Sequence, residues 1–264
     1  MTRIDPLASV HPNARIGDDV VVGPFTVIEE GAVIGDGCNI GPDVLITKWA
    51  RLGNELKISK GAVIGTDPQD LKFGEEETTL EVGDRTVIRE FATLNRGTHA
   101  SGKTVIGKDC LLMAYTHVGH DCRVGDNVIL SNGVNLAGHV EMDDFVIVGG
   151  MTGFHQFIHV GKHCFIGGMS KVRQDVPPYI RAADEPLDYA GVNSIGLRRR
   201  GMSSESIMSL KRAYKILYRS GLNVSQALEE LKKKVESAEV EEVIRFIENR
   251  SDRGMMGRSK AIKG

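Results

Sequence analysis

Six of the eight histidines in this 264-residue chain fall between His117 and His163. An imidazole changes charge near neutral pH, so a cluster of imidazoles can exchange protons with a substrate or hold a metal. His120, His139 and His155 are separated by 19 and 16 residues, Gln156 follows the last of them, and His117 lies three residues before the first. Asp121 directly follows His120 and is placed to orient its ring. Taken singly, each of these is an ordinary surface or corner histidine. Their common spacing, near 18, marks them as a site because the chain repeats on a divisor of that number.

Stepping by six from Ile4 meets Val10, Ile16, Val22, Ile28, Ile34, Ile40, Ile46, Leu52, Ile58 and Ile64. The same phase returns at Val82, Ile88 and Leu94. It then runs from Ile106 through Leu112, Val118, Val124, Leu130, Leu136, Met142, Val148, Phe154, Val160 and Ile166 to Val172. Asp70, Glu76 and Ala100 break it. Neither a helix nor a simple alternating strand holds such a phase. Each unit reads as a short strand plus a corner. Glycine often follows the apolar residue (Gly17, Gly35, Gly125), where a corner needs a positive φ or a close backbone approach. Pro6, Pro12, Pro24 and Pro42 take the next slot. Four residues after the apolar position comes a small inward one, as at Ala8, Ala32 and Ala62.

Three units close a triangular coil of 18 residues, and coils stack about 4.8 Å apart through parallel-strand hydrogen bonds. His120, His139 and His155 then lie near one vertical line on successive coils, within about 10 Å. Segments 66–81 and 95–105 leave the phase and read as loops extruded from the scaffold, where function concentrates. The repeat ends at Val176-Pro177-Pro178, and beyond about 182 the spacing becomes helical. Ile207, Leu210, Tyr214, Leu217 and Tyr218 make one stripe. Asn223 with Gln226 predicts a cap for a helix over 227–235, and Val240, Val243, Ile244 and Ile247 mark a third helix. The expected architecture is a β-solenoid over 1–181 and a helical domain over 182–264, with the final MMGRSKAIKG frayed.

Gly97–Thr104 fits the phosphate-loop pattern GxxxxGK[ST], but that pattern needs a helix immediately after it, and here the six-residue repeat resumes. Cys38, Cys110, Cys122 and Cys164 occupy the small inward slot and read as buried thiols in a reducing compartment. A formal net charge of −2 gives no overall pull toward nucleic acid, so none is expected as a partner. No apolar run approaches membrane-spanning length and the N-terminus lacks a signal-like stretch, which predicts a cytoplasmic protein. Arg198, Arg199, Arg200, Lys211, Arg212 and Lys215 form a basic cluster suited to an anion or an acidic protein.

The stretches PQDLKF (68–73), GDRTVIRE (83–90), NRGT (95–98), HVGHDCRVGDN (117–127), LAGHVEMDDFVIVGGMTGFHQF (136–157), QDVPPY (174–179), GVNSIGLRRRG (191–201) and AYKILYRSG (213–221) are together similar to the UDP-N-acetylglucosamine O-acyltransferases. The resemblance spans nearly the whole chain. It implies a left-handed parallel β-helix of the hexapeptide-repeat type and a homotrimer with sites between subunits. It also implies transfer of an (R)-3-hydroxyacyl group from acyl carrier protein to the sugar 3-hydroxyl, the first step of lipid A synthesis, with no cofactor, metal or covalent intermediate. By motif, His120 is the general base and Gly138 supplies an oxyanion N–H. His117, His139, His155 and Gln156 bind sugar and diphosphate, and Asp70 and Lys72 hold the sugar end. Asn193 and Arg199 grip the nucleotide with Arg200 nearby. Gly168 matches the position that sets acyl length, and Met169 and Lys171 beside it are bulkier than the family pattern leads one to expect. Lys171 is expected to cap the groove and shorten the preferred chain.

Four rivals stand beside this reading, and all but the first are distinguishable from the sequence. Transfer to the 3-amino group of a UDP-diamino sugar uses the same base. The N-acyltransferase of the same pathway carries an extra N-terminal domain, whereas here the repeat starts at Ile4. A zinc-dependent lyase of the γ-carbonic anhydrase type needs three histidines on an open metal, and the His-x2-His spacing departs from that pattern. An ice-binding solenoid needs flat rows of threonine, which are absent.

Overall fold

A computed structural model describes residues 1–235 and 237–257 of the chain. Short strands, most of two residues, stack into three parallel faces that wrap one core. The first face runs from Arg3–Ile4 to the hairpin Ile180–Ala183/Asp188–Val192. The second runs from Ser9–Val10 to Lys171–Val172, and the third from Arg15–Ile16 to His159–Val160. Register advances by one 18-residue coil where no loop intervenes, as in Ile129 beside Ile147 beside Phe165. The residues of the six-step phase point inward. Ile28, Ile46, Ile64, Leu94, Leu130 and Val148 are all buried, and truncating any one to alanine is expected to cost about 2–5 kcal/mol.

The corners explain the glycines. Gly17, Gly35 and Gly125 do not adopt positive φ; that conformation falls to residues such as Asp19, Asp43 and Asn127. These glycines are needed for close approach instead. On Gly35 and Gly125 a β-carbon would stand 2.5 Å from the side-chain oxygen of Asn54 and Asp144. Those oxygens accept the N–H of Asp36 and Asp126, one coil away, so a ladder of Asx side chains satisfies the corner donors. The small inward slot works similarly: Thr26 donates to Gly41 O at 2.7 Å, and the Cys122 thiol donates to Ala137 O at 3.1 Å.

Several boundaries differ from the periodicity. Residues 79–81 and 103–105 belong to strands Thr79–Val82 and Lys103–Ile106, so the loops are confined to 67–78 and 96–102. Residues 182–192 are not helical: Arg181 pairs with Phe165 and the hairpin extends the first face, which gives the last rung's backbone groups partners. Helix α1 (Ser194–Arg199) follows, then α2 (Ser204–Arg219), α3 (Val224–Lys232) and α4 (Ala238–Glu248). The capping box of Asn223 and Gln226 forms, and it starts α3 at Val224 rather than 227. Met255 and Met256 are buried and tied to Asp175 rather than frayed; 258–264 lie outside the described residues. No helix among the described residues is long and apolar enough to cross a membrane.

Candidate active site

His120, Asp121, Gly138, His139, His155 and Gln156 share one edge of the prism, where the second face turns into the third. The parallel register that stacks His117 beside Asn135 and Gly153 brings these corners over one another. His120 is 7 % exposed and its Nδ1 lies 2.7 Å from Asp121 Oδ2. Since an ionised carboxylate only accepts, Nδ1 carries the proton and Nε2 presents its lone pair. The ring of His120 meets that of His139 edge-on at 5.1 Å, and His139 stacks on Phe157 at 4.4 Å. Gly138 lies against the His120 ring, and among the described residues its N–H meets no acceptor. A base nitrogen and a residue with a free backbone donor thus lie side by side.

The pair is held from behind by the loop at 96–102. Asp121 Oδ1 accepts the Thr98 N–H at 2.9 Å and the Ser101 hydroxyl, while Oδ2 accepts the Thr98 hydroxyl at 2.8 Å. Burial alone would raise the Asp121 carboxyl, but the bonds from Ser101, His120 and Thr98 outweigh it and hold it below its ordinary range. Burial, reinforced by the neighbouring His120, pushes His117 down, and Thr93 Oγ1 lies 2.8 Å from its Nδ1. Burial also lowers His139, against the pull of Asp121.

His120, Asp121 and His139 offer three ligand atoms within 4.8 Å of one another, the geometry of a possible metal site. The carboxylate, however, already receives four donors, two on each oxygen, and has no free lone pair to give an ion. The donor set fits a hydrogen-bonded acid–base pair better than a zinc centre.

The other predicted residues are spread over the prism. Asp70 and Lys72 lie in the 67–78 loop, where Asp70 accepts the Lys72 N–H and acts electrostatically on His139. That loop is anchored by Arg96, whose guanidinium sits 4.7 Å from both the Trp49 and Phe73 rings and binds Asp67 at 2.9 Å. Glu76 closes the link by accepting the N–H and Nδ1 of His99. His155 and Gln156 are exposed. A groove of about 440 Å³ crosses the second face between His117, Asn135, Gly153, Phe154, His155 and Lys171. A larger cavity, about 880 Å³, lies under the loop beside Trp49, whose ring carries Lys48 at 4.6 Å as well as Arg96; it holds no base positioned like His120.

Gly168 and Met169 stand at a different edge, between the first and second faces, and Met169 is 80 % exposed. Asn193, Arg199 and Arg200 stand near the third edge. Asn193 caps α1, accepting the Gly196 N–H at 3.2 Å and donating to His163 O at 3.0 Å, so its amide is largely committed. Arg200 stacks on Phe145 at 4.3 Å, and Phe145 on His163 at 4.8 Å. One chain therefore unites the His120 edge but leaves Asn193, Arg199 and Arg200 on another edge of the prism. Thr93, Thr98, Ser101 and Phe157 were not singled out by the sequence. Phe157 had a signal, since it follows His139 by one coil length.

A family model described as UDP-N-acetylglucosamine O-acyltransferase, domain 2, matches residues 175–256. Models of the bacterial transferase hexapeptide and of the succinyl-transferase hexapeptide repeat match 103–138 and 13–48. The acyl-[acyl-carrier-protein]–UDP-N-acetylglucosamine O-acyltransferase of Chlorobaculum parvum is 56 % identical over 93 % of this chain and 94 % of its own length. The chain belongs to the UDP-N-acetylglucosamine O-acyltransferase family. The family's solved structures agree. The acyltransferase of Bacteroides fragilis superposes with a TM-score of 0.93 at 45 % identity, covering 96 % of this chain and 99 % of that one. The Francisella novicida acyltransferase gives 0.94 at 38 % identity, covering 97 % and 95 %. Membership in this acyltransferase family brings the fold with it: a left-handed parallel β-helix with helices at its C-terminal end.

Proposed function

We propose that this chain transfers an (R)-3-hydroxyacyl group from acyl carrier protein to the 3-hydroxyl of UDP-N-acetylglucosamine, the first step of lipid A synthesis, with His120 as general base. The observation that carries the reading is the Nδ1 bond to Asp121, which leaves Nε2 beside the unpartnered N–H of Gly138. His120 Nε2 takes the 3-hydroxyl proton as that oxygen attacks the thioester carbonyl carbon. The resulting oxyanion takes the Gly138 N–H, which is stronger there than in water. When the C–S bond breaks, the imidazolium returns its proton to the leaving thiolate. Asp121 stabilises the imidazolium in between.

His117 and His139, kept neutral by burial, hydrogen-bond the sugar and diphosphate with His155 and Gln156, and Asp70 and Lys72 hold the sugar end. Arg199 and Arg200, with what remains free of Asn193, take the nucleotide. Because these three stand away from His120 in one chain, the complete site is read as shared between neighbours in a homotrimer. The basic cluster of Arg198–Arg200, Lys211, Arg212 and Lys215 attracts the acidic carrier protein. The acyl chain follows the groove past Gly153 toward Gly168 and Met169, with Lys171 shortening it. A nucleotide sugar, a carrier protein and four buried free thiols suit the cytoplasm.

The test is acyl transfer from (R)-3-hydroxyacyl carrier proteins of graded length to UDP-N-acetylglucosamine, with and without chelator, for wild type and His120→Ala. Transfer that survives chelator and falls about 100- to 10,000-fold in the variant supports the reading. Transfer only to the 3-amino sugar would replace the acceptor, and no transfer to either would overturn the function.

A further inference from the structure

The run Gly97–Thr104 matches a phosphate loop in letters, yet strand Lys103–Ile106 follows it and no helix offers phosphate its N-terminus. Its glycines serve a tight loop between two faces of the prism. A β-carbon on Gly97 would lie 2.5 to 2.6 Å from the Lys103 backbone, and Gly102 holds φ at +76°. Its three hydroxyl residues all reach Asp121, although Ser101 Oγ also lies 2.9 Å from Lys103 O and Thr98 Oγ1 also accepts the Ala100 N–H. Thr98 and Ser101 donate to the Asp121 carboxylate, and Thr104 Oγ1 accepts the Asp121 N–H at 2.8 Å.

We propose that Thr98 and Ser101 are positioning residues that set the proton affinity of His120 by sharing the negative charge of Asp121. This rests on the reading of His120 as the base. The Asp121 side chain is shielded from solvent in the intact site, so its charge is shared among these protein donors. With four donors on the carboxylate, His120 Nδ1–H faces only part of its charge. Remove one donor and Oδ2 becomes the stronger acceptor, the imidazolium is better stabilised, and His120 holds its proton to higher pH. A base that stays protonated cannot take the hydroxyl proton.

The charged and titratable groups around the pair do not supply this effect. His117, on the strand leading into the corner, and His139, whose Nε2 is 3.6 Å from Oδ2 on the next coil, are both depressed by burial. Asp70 acts from the 67–78 loop on His139, and His99 acts on Asp121 from the 96–102 loop but is paired with Glu76. Arg123 lines the same hollow as Asp121 on the third face. None of them bonds the carboxylate, whereas Thr98 and Ser101 do.

The experiment compares kcat/KM against pH for wild type, Ser101→Ala, Ser101→Thr and Thr98→Val, with His120 titrated directly by imidazole NMR and Tm recorded for each. Ser101 is exposed, so Ser101→Ala is expected to fold normally. In Ser101→Ala the acid limb and the His120 titration should both move up by about half a pH unit or more, with KM for the sugar nucleotide unchanged. Thr98→Val should move them the same way, and Ser101→Thr should restore the wild-type limb. Folded variants whose His120 titrates as in wild type would overturn the proposal, even if their Tm falls. Failure of the functional reading is separate: it shows as absent transfer in wild type or retained transfer in His120→Ala, while the NMR titration still decides the clamp.

Discussion

The imidazole of His120 fills the space that a side chain on residue 138 would need: a β-carbon on Gly138 would lie 2.5 Å from Cε1 and 2.6 Å from Nε2. Gly138→Ala must therefore displace the ring from its bond to Asp121. A displacement of about 1 Å is expected to cost roughly 100-fold in kcat. The His120 corner is one small part of a continuous core, so the far-UV CD spectrum should be retained. A variant with wild-type kcat would show that the ring's seat is unimportant.

Asp121→Asn should be more damaging than its size suggests. The amide nitrogen would donate to His120 Nδ1, forcing the proton onto Nε2, the wrong tautomer for a base. A fall in kcat of about 100- to 10,000-fold is expected, with KM for the sugar nucleotide little altered. Steady-state kinetics at saturating donor measures both.

His163 links pH to stability. Burial, helped by Arg200 and Lys162, pushes it from 6.5 to about 4, and its buried Nδ1 meets no partner. Between those pH values the unfolded chain binds the proton and the folded chain does not, so stability falls as pH drops from about 6.5 toward 4. His163→Phe keeps the stacking on Phe145 and Tyr179 and should make that fall shallower. Urea midpoints at pH 7 and pH 4.5 give the comparison, and equal slopes would exclude His163 as a contributor.

Acyl selection should respond to Lys171 and Gly168 in opposite directions. Lys171→Gly, at the groove on the second face, should lengthen the preferred donor, and Gly168→Met should shorten it. A β-carbon on Gly168 meets Gly150 O at 3.0 Å, so the second variant also needs a Tm measurement. An unchanged donor ranking in Lys171→Gly would remove Lys171 from selection.

The thiols should be inert in the folded protein. Burial raises Cys110 to about 11 and Cys122 to about 12, and raises Cys38 and Cys164 as well. Iodoacetamide at pH 8 should leave all four unmodified until denaturant is added. Labelling of the native protein would mean that the coils open locally.

The sequence alone determined the solenoid, because one inward position every sixth residue admits no other regular packing. The same period placed His120, His139 and His155 on one edge before any coordinates. The motifs around them were enough to identify the family. Distances across the coil were another matter. That Thr98 and Ser101 grip Asp121 depends on how the 96–102 loop folds back, and a motif that matched a phosphate loop in letters alone holds a carboxylate. The hairpin at 180–192 was likewise hidden, since its pairing partner, Phe165–Ile166, lies outside the local window that periodicity reads. The separation of Asn193, Arg199 and Arg200 from His120 was decided by the triangular cross-section: which edge a residue reaches depends on its phase around the coil and on where the helices dock. A linear pattern carries phase within the repeat, but only the closed tertiary structure sets the contacts made by segments that leave it.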